Sequence, residues 1–222
     1  MSDIIVRDIE ENDLPVLKAL IAEAFGEGWN LGRFAENKGF LSSLLSIYLS
    51  MFLEPSTFGK VAEAEGEVVG AVLCSVGGEA TTLRRLLKDI MPNTLALLAA
   101  PEAERFDIVE HISVSFQTIG KLLEGNVDAY DGSLEFIAVS AQARGLGIGK
   151  TLWSEACGYF NSKNTESIYL ITDSACNIGF YEHSGFSRVG AERAVYNYTT
   201  GQRQSEVYVY EYRFDTQIAM KQ

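Results

Sequence analysis

The chain has 222 residues, 47% of them apolar and 22% charged, which suits a soluble globular protein of one domain, or one domain carrying an insertion. Its 18 basic and 30 acidic residues leave a net charge of −12, which argues against a nucleic-acid partner, because phosphate backbones demand a basic face. No apolar run approaches the roughly 18 residues that span a bilayer, and the N-terminus MSDIIVRDIEEND is acidic where a signal peptide would be basic, so a cytoplasmic protein with no membrane partner is expected. The widely spaced Cys74, Cys157 and Cys176 suggest neither a disulfide framework nor a zinc site, and two histidines, His111 and His183, make a histidine-rich metal site improbable; no metal is expected.

In chain order, IIVRDI (4–9) reads as a short strand. Asn12 or Asp13 can cap the next helix, with Pro15 in its first turn. Its apolar face runs from Leu14 through Leu17 and Leu20 to Phe25, ending near Gly26 and Gly28. A second helix is predicted over about 31–53 from Phe34, Phe40, Leu41, Leu44, Leu45, Tyr48 and Phe52. Thr57 to Ala64 and Glu67 to Val76 read as a hairpin turning at Glu65-Gly66. Residues 79–125 carry mixed helical patterns broken near Pro92 and Pro101, which predicts two or three helices set between strands. LEFIAVS (134–140) is a strand, 147–162 a helix, SIYLITD (167–173) a strand and NIGFYEHSGF (177–186) a short helix closed by Gly185. Two strands follow, over about 186–198 and 206–214. The order is that of an α/β layout on a mixed sheet.

The stretch QARGLGIGKT (142–151), directly after an apolar strand, suggests an anion-binding loop. A P-loop needs a glycine five positions before Gly149, where Arg144 stands; the dinucleotide fingerprint fails because its third glycine would fall on Lys150. A nucleotide hydrolase using Gly149-Lys150-Thr151 is thereby disfavoured. A strand turning through glycines into a helix nevertheless aims several amides at one point. The first amides of a helix lack internal partners, and the dipole there welcomes an anion. A diphosphate would satisfy such an array best. A tight turn that binds nothing is the plain alternative.

QARGLGIGKTLW after LEFIAV, followed by IYLITD and NIGFYEHSGF, resembles the GNAT superfamily of acyl-CoA-dependent N-acyltransferases. The match is to that family's Gln/Arg-x-x-Gly-x-Gly/Ala signature, here Gln142, Gly145 and Gly147. It is reinforced by FY-E-x-x-GF, here Phe180-Tyr181-Glu182 and Gly185-Phe186. The close resemblance covers 134–186, and the remaining elements fit the fold in order only. It implies one acyl-CoA N-acyltransferase domain over 1–222, built on a mixed, mostly antiparallel sheet flanked by helices. Residues 79–125 would then be a helical insertion between the hairpin and the central coenzyme-binding strand.

The resemblance further implies acetyl-CoA as the acyl-donor substrate, lying between the strands 134–140 and 167–173. Its pantetheine arm would pair with the backbone around Ile137, Ala138 and Val139. Its diphosphate would sit on Gln142 and on the amides of Arg144, Gly145, Leu146, Gly147, Ile148, Gly149 and Lys150. Two departures stand out. Ser174 replaces the asparagine usual seven residues before the tyrosine, and Asn177 occupies a position often taken by alanine, from which it could still reach the coenzyme. The stretch 79–125 is longer than the usual link, so the acceptor cannot be carried over by likeness.

The implied reaction is direct attack of a neutral amine of a small molecule or peptide on the thioester. Tyr181 matches the family's general acid: a phenol near pKa ~10 can protonate a thiolate whose conjugate acid lies near ~8.5, slightly uphill. A backbone N–H, that of Val139, would meet the carbonyl oxygen. Glu135 is the candidate base, directly or through a water, with Asp173 as a rival that could instead cap a helix. His183 is expected on the surface, His111 could line an acceptor pocket, and Cys176 lacks a visible His–carboxylate pair to activate it. Cys74 and Cys157 read as core. A non-catalytic acyl-CoA-binding sensor or scaffold is the alternative function. A homodimer is also compatible with the resemblance, and the inserted helices could form its contact.

Overall fold

The computed structural model describes residues 4–87, 90–124 and 129–214. Seven strands form one sheet: β1 (Ile4–Asp8), β2 (Phe58–Ala64), β3 (Glu67–Val76), β4 (Gly132–Val139), β5 (Ser167–Asp173), β6 (Ser187–Tyr198) and β7 (Gly201–Arg213), in the order β1-β2-β3-β4-β5-β7-β6. Every neighbouring pair is antiparallel except β4 and β5, so the sheet is mixed and mostly antiparallel, as expected. The β2–β3 hairpin turns at Glu65 (φ 56°) and Gly66 (φ 81°), two left-handed residues of the kind that match the twist of flanking strands.

Alternation along the strands feeds two cores. Val61, Ala71, Leu73 and Phe136 face α1 (Leu14–Phe25) and α2 (Lys38–Leu53), while Val72, Cys74, Leu134 and Ile168 face α5 (Ile148–Ser162). In β4, Leu134 and Phe136 have the same parity yet pack on opposite faces. The cause is a bulge: Leu73 pairs with Phe136 and Cys74 with Leu134, leaving Glu135 as the extra residue. Among the described residues no helix is long and apolar enough to cross a membrane.

Two expectations are corrected. The second helix does not begin at 31. Leu31–Phe34 is a separate 3-10 turn behind left-handed Asn30 (φ 53°), and α2 starts at Lys38 because the Asn37 side chain accepts the Phe40 amide at 3.1 Å. The breaks expected near Pro92 and Pro101 are present: these prolines stand at the starts of α3 (Met91–Leu98) and α4 (Glu102–Leu123), where a missing N–H costs nothing. β7 begins at Gly201, not near 206, since polar GQRQS pairs with β6 though its first four residues stay exposed. Residues 88, 89 and 125 of the expected 79–125 insertion lie outside the described residues, as do both ends of the expected 1–222 domain.

The long α4 lies across β6. Asp107 accepts from the Thr199 amide (2.7 Å) and hydroxyl (3.1 Å), Glu110 from the Asn197 amide (2.8 Å), and His111 Nδ1 meets the Tyr198 hydroxyl at 2.8 Å.

Gly132 pairs with both Val76 and Ile168, and a Cβ there would stand 2.2 Å from the Ser75 carbonyl oxygen. Gly132→Ala is therefore expected to destabilise the fold by about 3 kcal/mol, read as a lower urea midpoint, because backbone in a paired strand cannot step aside.

Candidate active site

β4 and β5 pair only at Gly132–Ile168 and Ser133–Tyr169, then separate. Asp131 ties the narrow end: its carboxylate accepts the amides of Glu166 (2.7 Å) and Ser167 (3.0 Å), and its own amide donates to the Ser167 carbonyl (3.0 Å). Beyond Ser133, β4 keeps β3 on one edge and has no strand on the other. The Ser140 amide donates to the Val69 carbonyl, so the alternation of an antiparallel ladder turns the backbone groups of Val139 and Ile137 toward the open edge. Those of the intervening Ala138 are spent on β3.

At the wide end β4 runs through a 3-10 turn (Ala141–Ala143) into the loop and α5. Gly145 and Gly147 both hold φ 82°, with open space where a Cβ would be; the glycines serve backbone conformation. Buried Ile148 anchors the helix start. Gly149 makes room for the Phe180 ring, which a Cβ would meet at 3.2 Å. Among the described residues, no hydrogen bond is donated by the amides of Gly145, Leu146, Gly147, Ile148, Gly149 or Lys150. The Arg144 amide is different, since it donates to the Ala141 carbonyl at 3.3 Å. Its guanidinium reaches Glu23 on α1 (2.9 Å) and the Val139 carbonyl (3.3 Å). Gln142, Leu146 and Lys150 are exposed along the rim.

The other side of the gap is α6 (Ile178–His183). Tyr181 packs between Phe180, Phe186 and Tyr210 with ring centroids 5.6 to 6.1 Å apart. Burial, with Cys176 and Asp173 nearby, pushes its phenol well above the ordinary value. The neighbouring Thr172 hydroxyl acts against that rise, although its Oγ1 is buried and outside hydrogen-bonding geometry. The Cys176 thiol is pushed up to about 11 by burial and then by Asp173, so it is no thiolate nucleophile at neutral pH. Asp173 caps the turn after β5 through the Ala175 amide (2.8 Å) and does not cap α6. Asn177 is exposed at the start of α6. His183 is exposed and bonded to the Gly179 carbonyl, as expected.

A cavity of about 250 Å³ lies between α2, α4 and the sheet. Glu135, Tyr169, Asp173, Trp29, His111 and Tyr196 are among its lining residues. The bulge delivers Glu135 to this face. Its Oε1 accepts from Ser133 and from Ser75 (2.9 Å), while Oε2 has no hydrogen bond among the described residues. Trp29, Tyr48 and Tyr196 were not singled out as site residues from the sequence, where Tyr48 was read only as part of the second helix's apolar face. His111 stacks on Tyr196 (5.0 Å, 13°). Burial first, and the Arg33 charge second, push its imidazole down to about 4.

The sequence matches the family model described as acetyltransferase (GNAT) family over residues 16–186. No curated protein matches it. Among solved structures, the fold is similar to that of a Corynebacterium glutamicum protein described as histone acetyltransferase HPA2 and related acetyltransferase. That likeness has a TM-score of 0.58 and 18% identity, covering 98% of this chain and 100% of the other. An N-acetyltransferase from Staphylococcus aureus is similar at TM-score 0.52 and 13% identity, covering 96% and 99%. A GCN5-related N-acetyltransferase from Kribbella flavida gives 0.51 and 14%, covering 95% and 98%. At such identities these structures speak for the fold alone.

The depressed His111 fixes a pH response. The unfolded chain takes up a proton near 6.5 and the folded one only near 4, so stability is unaffected above pH 6.5 and falls as pH drops through that window. The expected loss is about 3 kcal/mol by pH 4, over and above carboxylate effects. His111→Gln should flatten the part of the stability–pH curve between 6.5 and 4, and imidazole NMR signals should show His111 neutral at pH 5.5; a half-protonated ring there would contradict its burial.

Proposed function

This chain belongs to the GNAT acetyltransferase family, and from that premise we propose that it transfers an acetyl group from acetyl-CoA to a primary amine of a small molecule or peptide. The observation that carries the reading is the gap between β4 and β5, with unspent amides on one side and a protonated phenol on the other. The residues present fit the donor. The free amides of 145–150 suit a diphosphate at a helix N-terminus, and the outward backbone of Ile137 and Val139 suits the amide groups of pantetheine, as an added strand would. When bound, acetyl-CoA supplies an activated thioester carbonyl.

This chain's own groups do the rest. The Val139 amide on the open edge meets the carbonyl oxygen as negative charge builds on it. Glu135, with Oε2 unspent, accepts the proton that the attacking amine loses, directly or through a water. Asp173, across the gap, is the rival base. Tyr181 gives its proton to the departing sulfur. Burial makes that release uphill, so the phenol acts first as a hydrogen-bond donor and transfers the proton only as charge collects on sulfur. Residues 79–125 serve as a helical insertion within a single domain, and α4 forms the outer wall of the acceptor cavity.

Titration with coenzyme A should shift the amide NMR signals of 145–150 selectively. With acetyl-CoA and a panel of amines, free thiol should appear, and Tyr181→Phe should lower kcat about a hundredfold while leaving the KM for acetyl-CoA within about twofold. Thiol release indifferent to that change removes Tyr181 from the chemistry. Shifted amides with no release for any amine would mean a binder that does not transfer.

A further inference from the structure

We infer that the acceptor is a primary amine on a ring-sized apolar body that carries no carboxylate; this rests on the acetyl-transfer reading above. The cavity that Glu135 lines has a volume of about 250 Å³, below the roughly 300 to 1,000 Å³ of most ligand sites, so it suits a small molecule. Its charged lining is of one sign. Glu135 and Asp173 are there, and among the described residues no lysine or arginine lines it. His111 lines it as well, and burial, with the Arg33 charge second, keeps that imidazole neutral.

Each carboxylate keeps one oxygen for a ligand. Glu135 spends Oε1 on Ser133 and Ser75, and Asp173 spends Oδ1 on the Ala175 amide. Asp173 Oδ2 lies close to the chain at Gly28, where a Cβ would stand 3.0 Å away. The glycine lets the end of α1 pass beside the carboxylate, and Trp29 follows it directly. Trp29 stacks on Phe25 at 4.4 Å and 9°, and Phe52 continues that wall 5.9 Å from Phe25. Half-buried aromatic rings beside a carboxylate are the surroundings that an ammonium group prefers.

The remaining wall suits hydrocarbon. Met51, Ile112, Phe116, Ile119 and Ile171 line the cavity and their side chains offer no hydrogen bond. A carboxylate on the ligand would meet two like charges with no cation to answer it. Arg33 does not supply one. It is outside the lining, its nitrogens are sealed from solvent against the rings of Phe34 (4.5 Å) and Tyr198 (3.9 Å), and Asp107 at 3.8 Å balances its charge. The complementary ligand is a cationic amine on an apolar ring, and an amino acid with the same side chain is rejected.

Calorimetric titration with phenethylamine, phenylalanine and ethylamine, coenzyme A being present, separates the terms. Phenethylamine should bind at least about tenfold more tightly than phenylalanine, which adds a carboxylate. It should also bind at least about tenfold more tightly than ethylamine, which lacks the ring. Glu135→Gln and Asp173→Asn, close in shape to the originals, should each narrow the preference over phenylalanine about threefold, and together bring it within about twofold. Phenylalanine or ethylamine binding as tightly as phenethylamine, or no binding of phenethylamine, overturns the inference. So does a preference over phenylalanine that is unchanged in both folded single variants. Thiol release from acetyl-CoA with phenylalanine as readily as with phenethylamine would sink the inference while sparing acetyl transfer. Tight phenethylamine binding with no thiol release for any amine would do the reverse.

Discussion

Everything at the candidate site depends on β4 and β5 parting after two paired residues. Three features enforce the separation. Asp131 binds the first amides of β5 and holds the strands together at one end; Gly132 is the only kind of residue that fits between the Ser75 carbonyl and the start of β5; and the Glu135 bulge bends β4 just beyond. Unpaired strand edges are usually a hazard that proteins cover. Here the exposed edge faces into the molecule, flanked by the glycine loop and by α6. Phe180 lying against Gly149 braces one flank on the other.

That geometry divides the labour between the faces of the sheet. The loop, α5 and Tyr181 approach from one face; Glu135, Asp173 and the aromatic cavity occupy the other. The gap is the one place where groups from both can meet. Burial then sets protonation without fine tuning. It holds the Tyr181 phenol protonated, keeps the Cys176 thiol from ionising and keeps His111 neutral, so each is fixed in one state across neutral pH. The first cause in each case is desolvation, with nearby charged groups adding to it.

The segment 134–186 was legible in the sequence almost to the residue, because strand, glycine turn and helix there follow from local rules: period-two apolar runs, left-handed glycines and amphipathic spacing. The signature residues Gly145 and Gly147 sit where the chain needs positive φ. The start of α2 was missed because a side-chain cap at Asn37 outweighs the helical pattern before it. The first residues of β7 were missed because GQRQS is polar and is held in the sheet by β6 alone. No pattern could have revealed the bulge at Glu135, since an extra residue shows only when the partner strand is in register. Trp29 and Tyr48 meet His111 across 82 and 63 positions, and His111 meets Tyr198 across 87, only once α4 has docked on β6.

This difference in legibility has a physical origin. On the proposed reading, the acyl donor is held by main-chain groups: amides 145–150 and the edge of β4. Main-chain recognition asks only for a conformation, so a few glycines and an apolar strand record it in compact form. The cavity on the other face is walled by side chains from α2, α4, β5 and β6, each brought in from a separate part of the chain. Nothing local ties those residues together, and any of them can change without disturbing the glycine turn. The short motif therefore speaks for the acyl donor alone. On the proposed reading, the acyl acceptor is chosen by the side chains that wall the cavity, which no short motif records.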